Sequence, residues 1–195
     1  MNHPEHLLEA GVDEAGRGPL AGPLVVAAVI LPAEYDLNFL DDSKRLTAHK
    51  REQLAPRIKN QAIAWRVEFV AVEEIDRVNI LQATMNGMQR AVANLHPAPS
   101  RALIDGNRAP DLTCEVETII GGDHLVASIS AASILAKVSR DHYMHTLHQQ
   151  YPAYGFDRHK GYPTAHHLEQ LRTLGPCPVH RKSYAPVRKA VMRFS

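Results

Sequence analysis

Two short apolar runs near the start of the chain constrain its fold more than any other feature. Residues 7–12 are largely apolar, and residues 24–31 form a second run that is rich in Val and Ile. The second run is too short to cross a membrane, so it predicts a buried strand. A Gly-Arg-Gly turn at residues 16–18 separates the two runs, and together they predict a β-hairpin.

Two adjacent acids, Asp13 and Glu14, lie where the first predicted strand gives way to this turn. Neighbouring side chains of a strand point to opposite faces, so we expect one acid to line a site directly. A bend at Gly16 would let the second acid reach the same site from its edge. Adjacent acids at a loop are most often solvated, but glycine lets backbone approach a ligand closely. The combination favours a phosphate substrate held by metal ions.

The rest of the chain alternates strands with helices. A surface of small residues at 130–133 suits close packing of the longest helix on a sheet, and residues 180–193 are only loosely patterned. The architecture predicted is α/β, a mixed β-sheet flanked by helices. The predicted elements are a helix from the N-cap Thr47, a strand over 63–72, a helix over 73–95, strands at 102–105 and 116–120, and helices over 124–150 and 164–174.

Two further acids, Asp105 and Asp123, follow predicted strands and adjoin glycine, as Asp13 and Glu14 do. Acids at strand ends of an α/β sheet point into the crevice where such folds place their sites. Taken singly, Asp105 is an ordinary turn residue and Asp123 an ordinary helix N-cap. Taken together, four carboxylates repel one another unless cations neutralise them.

Oxygen ligands alone fit Mg²⁺ or Mn²⁺ better than zinc. One such ion activates a water and another stabilises the leaving oxygen in phosphodiester hydrolysis. The histidines at 142, 145 and 148 and the pair at 166–167 lack a zinc-protease arrangement, and we do not expect a zinc site there.

Charge is divided unevenly along the chain. Residues 158–195 hold eight Lys or Arg against one acid, a net charge of +7, and since the whole chain carries +1 the first 157 residues carry −6. This is the distribution expected if carboxylates gather metals and the basic end meets a polyanion, although a basic tail without a partner would look the same.

Composition limits the remaining possibilities. With 195 residues, 45% of them hydrophobic, the chain can bury one sizeable core. We find no transmembrane run and no signal-peptide pattern, and Cys114 and Cys177 have no metal-ligand spacing. We therefore expect a cytoplasmic protein with plain thiols and no membrane association.

Six blocks of the sequence resemble the bacterial ribonuclease HII family, the type 2 ribonucleases H. The blocks follow in the family's order and cover nearly the whole length. They are residues 11–23 (GVDEAGRGPLAGP), 41–44 (DDSK), 103–107 (LIDGN), 122–123 (GD), 130–141 (SAASILAKVSRD) and 159–164 (HKGYPT).

The resemblance implies a ribonuclease H-like fold and one domain. Residues 1–157 would form its core and residues 158–195 a short helical, basic segment that binds substrate. It also implies that the four acids, Asp13, Glu14, Asp105 and Asp123, are catalytic and hold one or two Mg²⁺ or Mn²⁺ ions.

The activity implied is cleavage of the RNA strand of RNA–DNA hybrids and cleavage 5′ to single ribonucleotides in duplex DNA. The products would carry a 3′-hydroxyl and a 5′-phosphate, and a role in removing ribonucleotides from DNA follows. We expect a monomer whose partners are RNA–DNA hybrids and ribonucleotide-containing duplex DNA.

The resemblance also implies how substrate is read. The turn of Gly16, Arg17 and Gly18 would contact the ribose 2′-hydroxyl, largely through backbone, and this group distinguishes RNA from DNA. Tyr162 would pack on the sugar after the ribonucleotide, although packing against Pro163 is an alternative. Phosphates are expected to contact the basic side chains Lys44, Lys160, Arg181, Lys182, Arg188 and Lys189. For Lys44, a solvated loop lysine is the alternative.

Three other functions fit part of this pattern. A ribonuclease HIII-like nuclease shares the fold and chemistry, but its extra N-terminal domain would have no room before Asp13. A junction resolvase would have similar acids but no need of the turn at residues 16–18. A non-catalytic nucleic-acid-binding module would gain nothing from a cluster of four acids.

Overall fold

Strand alternation along the second strand explains how the core is divided. The structure, a computed structural model, describes residues 8–36 and 46–194. Every residue of β2, Leu24–Ile30, is buried. Its even-numbered side chains join one apolar cluster and its odd-numbered side chains join another, because successive strand residues face opposite sides of the sheet. The sheet is therefore covered by helices on both faces.

The helices and strands lie in an order that largely follows the sequence pattern. The strands are β1 (Glu9–Ala15), β2 (Leu24–Ile30), β3 (Ala64–Val70), β4 (Arg101–Asp105) and β5 (Glu115–Ile119). The helices are α1 (Ala48–Gln61), α2 (Val72–Ala93), α3 (Gly122–Leu125), α4 (Ala127–Gln150), α5 (Phe156–His159), α6 (Ala165–Leu174) and α7 (Ala185–Phe194), with one 3₁₀ turn at Pro152–Tyr154.

The five strands form one mixed sheet in the order β3-β2-β1-β4-β5. The hairpin predicted from the two apolar runs is confirmed: β1 pairs antiparallel with β2, from Ala10 opposite Ile30 to Ala15 opposite Val25. β3 pairs antiparallel with β2, whereas β4 is parallel to both β1 and β5. The predicted mixed sheet with flanking helices is therefore confirmed.

Helix α4 lies very close to the centre of the sheet. The expected small-residue surface is present, since Ser130, Ala131 and Ala132 are all buried. A Cβ added at Gly11 of β1 would lie 2.1 Å from the backbone carbon of Ser128. Only glycine at this position lets strand and helix backbones approach so closely.

Two predicted helices are interrupted in the structure. Asn79, inside α2, has φ 69° and ψ 164°, and its Oδ1 accepts hydrogen bonds from the backbone N–H groups of Leu81 and Gln82. Asn79 therefore caps a second helical segment, because its side chain satisfies the first free N–H groups. The helix expected over 124–150 is likewise divided at Val126, where the backbone is extended.

The C-terminal segment packs against the chain between β1 and β2. Leu20 shares a cluster with Leu171 of α6 and with Val187 and Ala190 of α7. The helix predicted to begin at Thr164 is present as α6, and Thr164 caps it by accepting a hydrogen bond from the backbone N–H of His167. The loosely patterned end contains α7, so the short helical C-terminal segment is present. None of the helices within residues 8–36 and 46–194 is long and apolar enough to cross a membrane.

Candidate active site

The predicted acids meet where β1 and β4 end side by side. β4 runs parallel to β1 with Leu103 opposite Gly11 and Ile104 opposite Val12, so the same register sets Asp105 beside Asp13. Residues side by side on neighbouring strands point to the same face, roughly 5 Å apart. The sheet register therefore brings together two acids that lie ninety-two positions apart in the sequence.

Asp13 and Glu14 point to opposite faces, as strand geometry requires. Asp13 is buried on the α4 side, where Ser133 hydrogen-bonds its carboxylate. Glu14 lines a cavity of about 190 Å³ on the α2 side, together with Asp105 and the side chains of Leu81 and Met85. Asp105, at the end of β4, interacts electrostatically with both acids and so connects the two faces.

The electrostatics of this edge are unfavourable for the bare protein. Burial raises the pKa of Asp13 well above its ordinary value, and repulsion by Glu14 and Asp105 raises it further. Burial likewise raises the pKa of Glu14, against the lowering effect of Arg17, whose Nη1 lies 3.4 Å from Glu14 Oε1. The Oδ1 atom of Asp105 is buried and has no hydrogen-bond partner among the described residues.

Asp123 stands next to this edge. It is fully buried in α3, and its Oδ2 lies 3.7 Å from Nε2 of His124. A Cβ added to the preceding Gly122 would lie 3.5 Å from Asp105 Oδ1, so the start of α3 adjoins the β4 acid. Within residues 8–36 and 46–194, no three His, Cys, Asp or Glu side chains form a ready-made metal site.

The acids nevertheless fit a hard divalent cation. Their donor atoms are all carboxylate oxygens, the ligands that Mg²⁺ and Mn²⁺ prefer. An unsatisfied buried oxygen on Asp105 and the mutual repulsion of Asp13, Glu14 and Asp105 are both relieved by added positive charge.

The predicted substrate-reading turn lies directly beyond these acids. Gly16 has φ 101°, in the left-handed region that favours glycine, and the bend expected there is present. Arg17 and Gly18 are exposed. A Cβ added at Gly18 would lie 3.6 Å from the Tyr162 ring, so the structure places the turn and Tyr162 in contact.

The Tyr162 side chain is 42% exposed. Its loop packs on the buried histidines His167 and His180. The carbonyl oxygen of Tyr162 lies 2.9 Å from Nδ1 of His167, and Nε2 of His167 lies 3.1 Å from Nε2 of His180. Burial lowers the pKa of each of these two histidines to about 4, and the neighbouring histidines add to the effect. Both rings are therefore neutral at pH 7.

The predicted phosphate contacts have different positions. Lys160 is partly buried, and its Nζ donates to the carbonyl of Asp157. Lys182, Arg188 and Lys189 are exposed, whereas Lys44 lies outside the described residues.

The expectation for Arg181 is wrong. This residue is fully buried, and its guanidinium donates to backbone carbonyls and to the Tyr184 hydroxyl, so it cannot reach a phosphate. Two further buried residues were not predicted: Arg140, which lies against Gly16 of the turn, and His180, which contacts His167 beneath the Tyr162 loop. Arg140 has the polar neighbours Ser139 and Asp141, and His180 precedes Arg181, so the local sequence predicts exposure for both.

Comparison with known proteins agrees with this architecture. The ribonuclease H2 from Pyrococcus horikoshii OT3 superposes with a TM-score of 0.80 at 28% identity, over 95% of this chain and 98% of that chain. The fold and the acid edge place the protein among the ribonucleases H, enzymes that use divalent metal ions.

Sequence relatives narrow the class. The sequence model of the Ribonuclease HII family matches residues 10–187, and the chain belongs to this family. A Ribonuclease HII of Xanthomonas oryzae pv. oryzae is 58% identical over 97% of this chain and 76% of the relative. A Ribonuclease HII of Bordetella avium is 58% identical over 92% of this chain and 89% of the relative. The protein is thus an enzyme that cleaves RNA in RNA–DNA hybrids, and the family match favours type HII over type HIII.

Proposed function

We propose that this ribonuclease HII also cuts duplex DNA on the 5′ side of a single embedded ribonucleotide, and so serves the removal of ribonucleotides from DNA. One observation carries the proposal: the Gly16–Gly18 turn lies between the acids of β1 and the exposed ring of Tyr162. The turn proposed to contact the ribose, the ring proposed to contact the next sugar and the cluster of acids therefore lie close together.

We assign the metal-holding role to four residues, Asp13, Glu14, Asp105 and Asp123. Bound divalent ions, Mg²⁺ or Mn²⁺, would supply the positive charge that activates water and stabilises phosphate oxygens during hydrolysis. The acids fix where that charge lies, and the rigid sheet edge keeps Asp13 and Asp105 in register. The reaction replaces the bond from phosphorus to the upstream O3′ with one to a water oxygen, which gives a 3′-hydroxyl and a 5′-phosphate.

Recognition is assigned to the turn and to Tyr162. Backbone N–H groups at Arg17 and Gly18 are suitable donors to the ribose 2′-hydroxyl, which DNA lacks. The Tyr162 ring is available to pack on the following sugar. Lys44 and Lys160 are assigned to phosphates, as are the exposed tail residues Lys182, Arg188 and Lys189, which would give a salt-sensitive contribution independent of sequence.

We further propose that the enzyme acts as a cytoplasmic monomer. Both cysteines, Cys114 and Cys177, are free, and burial raises the pKa of the Cys177 thiol to about 11. Unreactive, unbridged thiols suit a reducing compartment.

The test uses a DNA duplex that contains one ribonucleotide, with Mg²⁺ or Mn²⁺. We expect a single cut 5′ to the ribonucleotide, no cut in the same duplex made entirely of DNA, and a loss of at least about a hundredfold in Asp105→Asn. Binding of the duplex by Asp105→Asn should remain. Cleavage of long RNA–DNA hybrids alone would refute the proposed activity on single ribonucleotides, and loss of binding together with cleavage would make the acids structural.

Replacement of Tyr162 tests its role with a matched control. Tyr143 on α4 is also 42% exposed, but its ring packs at an angle of 41° against Phe69 of β3. Loss of one sugar-packing ring is worth about 1–3 kcal/mol by analogy with aromatic stacking on nucleic acid. We expect Tyr162→Ala to lower kcat/KM about tenfold at a single ribonucleotide and less within a long RNA tract, and Tyr143→Ala to leave both unchanged. Equal losses on the two substrates would contradict this role for Tyr162.

A further inference from the structure

Two arginines are buried beneath the turn, and neither is paired with a carboxylate. Arg140 is 1% exposed and Arg181 is fully buried. Neither forms an ion pair within residues 8–36 and 46–194. Their donors go to backbone carbonyls instead: Arg140 to those of Ala21, Pro23 and Lys160, and Arg181 to those of Gly16, Arg17 and Gly22.

Holding these two charges in the interior is costly. Burial lowers the pKa of Arg140 to about 10, and repulsion by Arg181 contributes to the shift. Burial also lowers the pKa of Arg181. Buried ionic groups are often replaceable by apolar side chains of similar volume without loss of stability. Stability alone therefore does not account for this pair of buried arginines.

Arg181 determines the direction of two successive peptide groups. Its Nη2 lies 2.7 Å from the carbonyl oxygen of Gly16, and its Nη1 lies 3.0 Å from that of Arg17. In a planar trans peptide the N–H points opposite to the C=O. The N–H groups of Arg17 and Gly18 must therefore point away from the buried guanidinium. No hydrogen bond within the described part of the chain uses either group.

Arg140 joins the chain after the turn to the Tyr162 loop. Its guanidinium bridges Ala21 and Pro23 to the carbonyl oxygen of Lys160, 3.0 Å from Nη1, and lies 5.9 Å from the centre of the Tyr162 ring. A Cβ at Gly16 would lie 2.1 Å from Nε of Arg140, so the turn rests directly on this side chain. The two arginines thereby fix the distance between the turn and Tyr162.

We propose that Arg140 and Arg181 are positioning residues that determine specificity for a ribonucleotide, because they aim the Arg17 and Gly18 N–H groups at the 2′-hydroxyl and hold Tyr162 beside them. Tyr184 belongs to the same network, since its hydroxyl donates to the Arg17 carbonyl and accepts from Nη1 of Arg181. The proposal rests on the proposed reading of ribose by the turn.

The test measures binding without metal, so that it does not depend on turnover. In EDTA, fluorescence anisotropy gives Kd for a duplex with one ribonucleotide and for the same duplex made of DNA, and the ratio reports recognition of the 2′-hydroxyl. Lysine keeps the charge but lacks the planar fork of donors. We expect Arg181→Lys and Arg140→Lys to reduce the ratio about fivefold, the value of roughly one hydrogen bond, and to leave the Kd for DNA unchanged.

Two controls separate positioning from stability. Ile58→Ala removes a fully buried side chain between α1 and α4, so it destabilises the fold without touching the turn. Arg66→Lys replaces an exposed arginine of β3 that pairs with Glu68. Both controls should keep the wild-type ratio, whatever their melting temperatures.

The binding ratios distinguish the positioning role from the proposed function. An unchanged ratio in the folded lysine variants would overturn the positioning role while the proposed function stands. A wild-type ratio of one would refute reading of the 2′-hydroxyl and the positioning role with it. If neither lysine variant folds, Tyr184→Phe replaces them, because it removes only a hydroxyl from the network. We expect a two- to threefold lower ratio for it, and an unchanged ratio would overturn the proposal.

Discussion

Replacing Asp105 with asparagine should make the metal-free protein more stable while it abolishes cleavage. Asp105 lies beside Asp13 on the neighbouring parallel strand and repels both Asp13 and Glu14. One of its oxygens is buried without a hydrogen-bond partner among the described residues. Asparagine has nearly the same shape but no charge, so the change removes repulsion and lowers the cost of desolvation.

The magnitude follows from the strand spacing. Two charges roughly 5 Å apart in an effective dielectric of about 20 repel by about 3 kcal/mol. Partial exposure and screening by salt reduce this to an expected gain of about 1–2 kcal/mol. For a chain of 195 residues, this gain corresponds to a melting temperature higher by about 3–6 °C.

The assay is thermal unfolding in EDTA and then in increasing Mg²⁺ or Mn²⁺. Asp111→Asn is the matched control, because Asp111 is exposed on the loop between β4 and β5. We expect no shift for this control in EDTA. Added metal should stabilise the wild type by mass action and stabilise Asp105→Asn less. A melting temperature of Asp105→Asn in EDTA equal to or below that of the wild type would refute mutual repulsion at this edge.

Two further predictions concern packing and pH. Gly11→Ala should destabilise the fold by about 2–3 kcal/mol, because its Cβ would meet the backbone of α4 at 2.1 Å; urea unfolding measures this loss. For His167 and His180, a pKa lowered from 6.5 to about 4 means that the unfolded chain binds protons more strongly. Their contribution to stability is therefore complete above about pH 6.5 and is lost as the pH falls towards 4, by about 2 kcal/mol for each histidine at pH 5.

Both predictions have internal controls. Gly87→Ala places its Cβ 2.8 Å from a methyl group of Val70, a side chain that is able to adjust, so it should cost less than Gly11→Ala. A smaller loss for Gly11→Ala would contradict the argument from backbone contact. His180→Phe should reduce the pH dependence of unfolding between pH 7.5 and 5, whereas His145→Phe, at an exposed position, should not. The same pH dependence in all three proteins would exclude the buried pair as its source.

Much of the fold was predictable because its elements carry strong local signals. The apolar run of β2, the Gly-Arg-Gly turn and the N-cap residues Thr47 and Thr164 each predict a local structure that is present. The breaks at Asn79 and Val126 were not predicted, since apolar periodicity continues across both. A capping side chain inside a helical pattern has no signature that periodicity alone can detect.

The acids were predictable for a different reason. Each follows an apolar strand beside glycine, and strand ends in an α/β sheet converge. The sequence could not show which acids interact, because that depends on the register that places Asp105 beside Asp13. Nor could it place Arg181, because a basic residue in a basic segment predicts exposure, whereas its guanidinium donates to backbone carbonyls in the interior.

The acids and the two buried arginines, Arg140 and Arg181, have different partners. The exposed Arg17 already pairs with Glu14, and a further guanidinium beside Asp13 or Asp105 would weaken the attraction of the acids for divalent cations. Arg140 and Arg181 instead donate to backbone carbonyls of the turn and of the chain that follows it. We therefore expect the acids to stay available to cations, while the N–H groups of Arg17 and Gly18 point away from the buried arginines. Because the Gly16–Gly18 turn lies between the acids and the arginines, we expect substitutions in either set to change the orientation of its peptide groups.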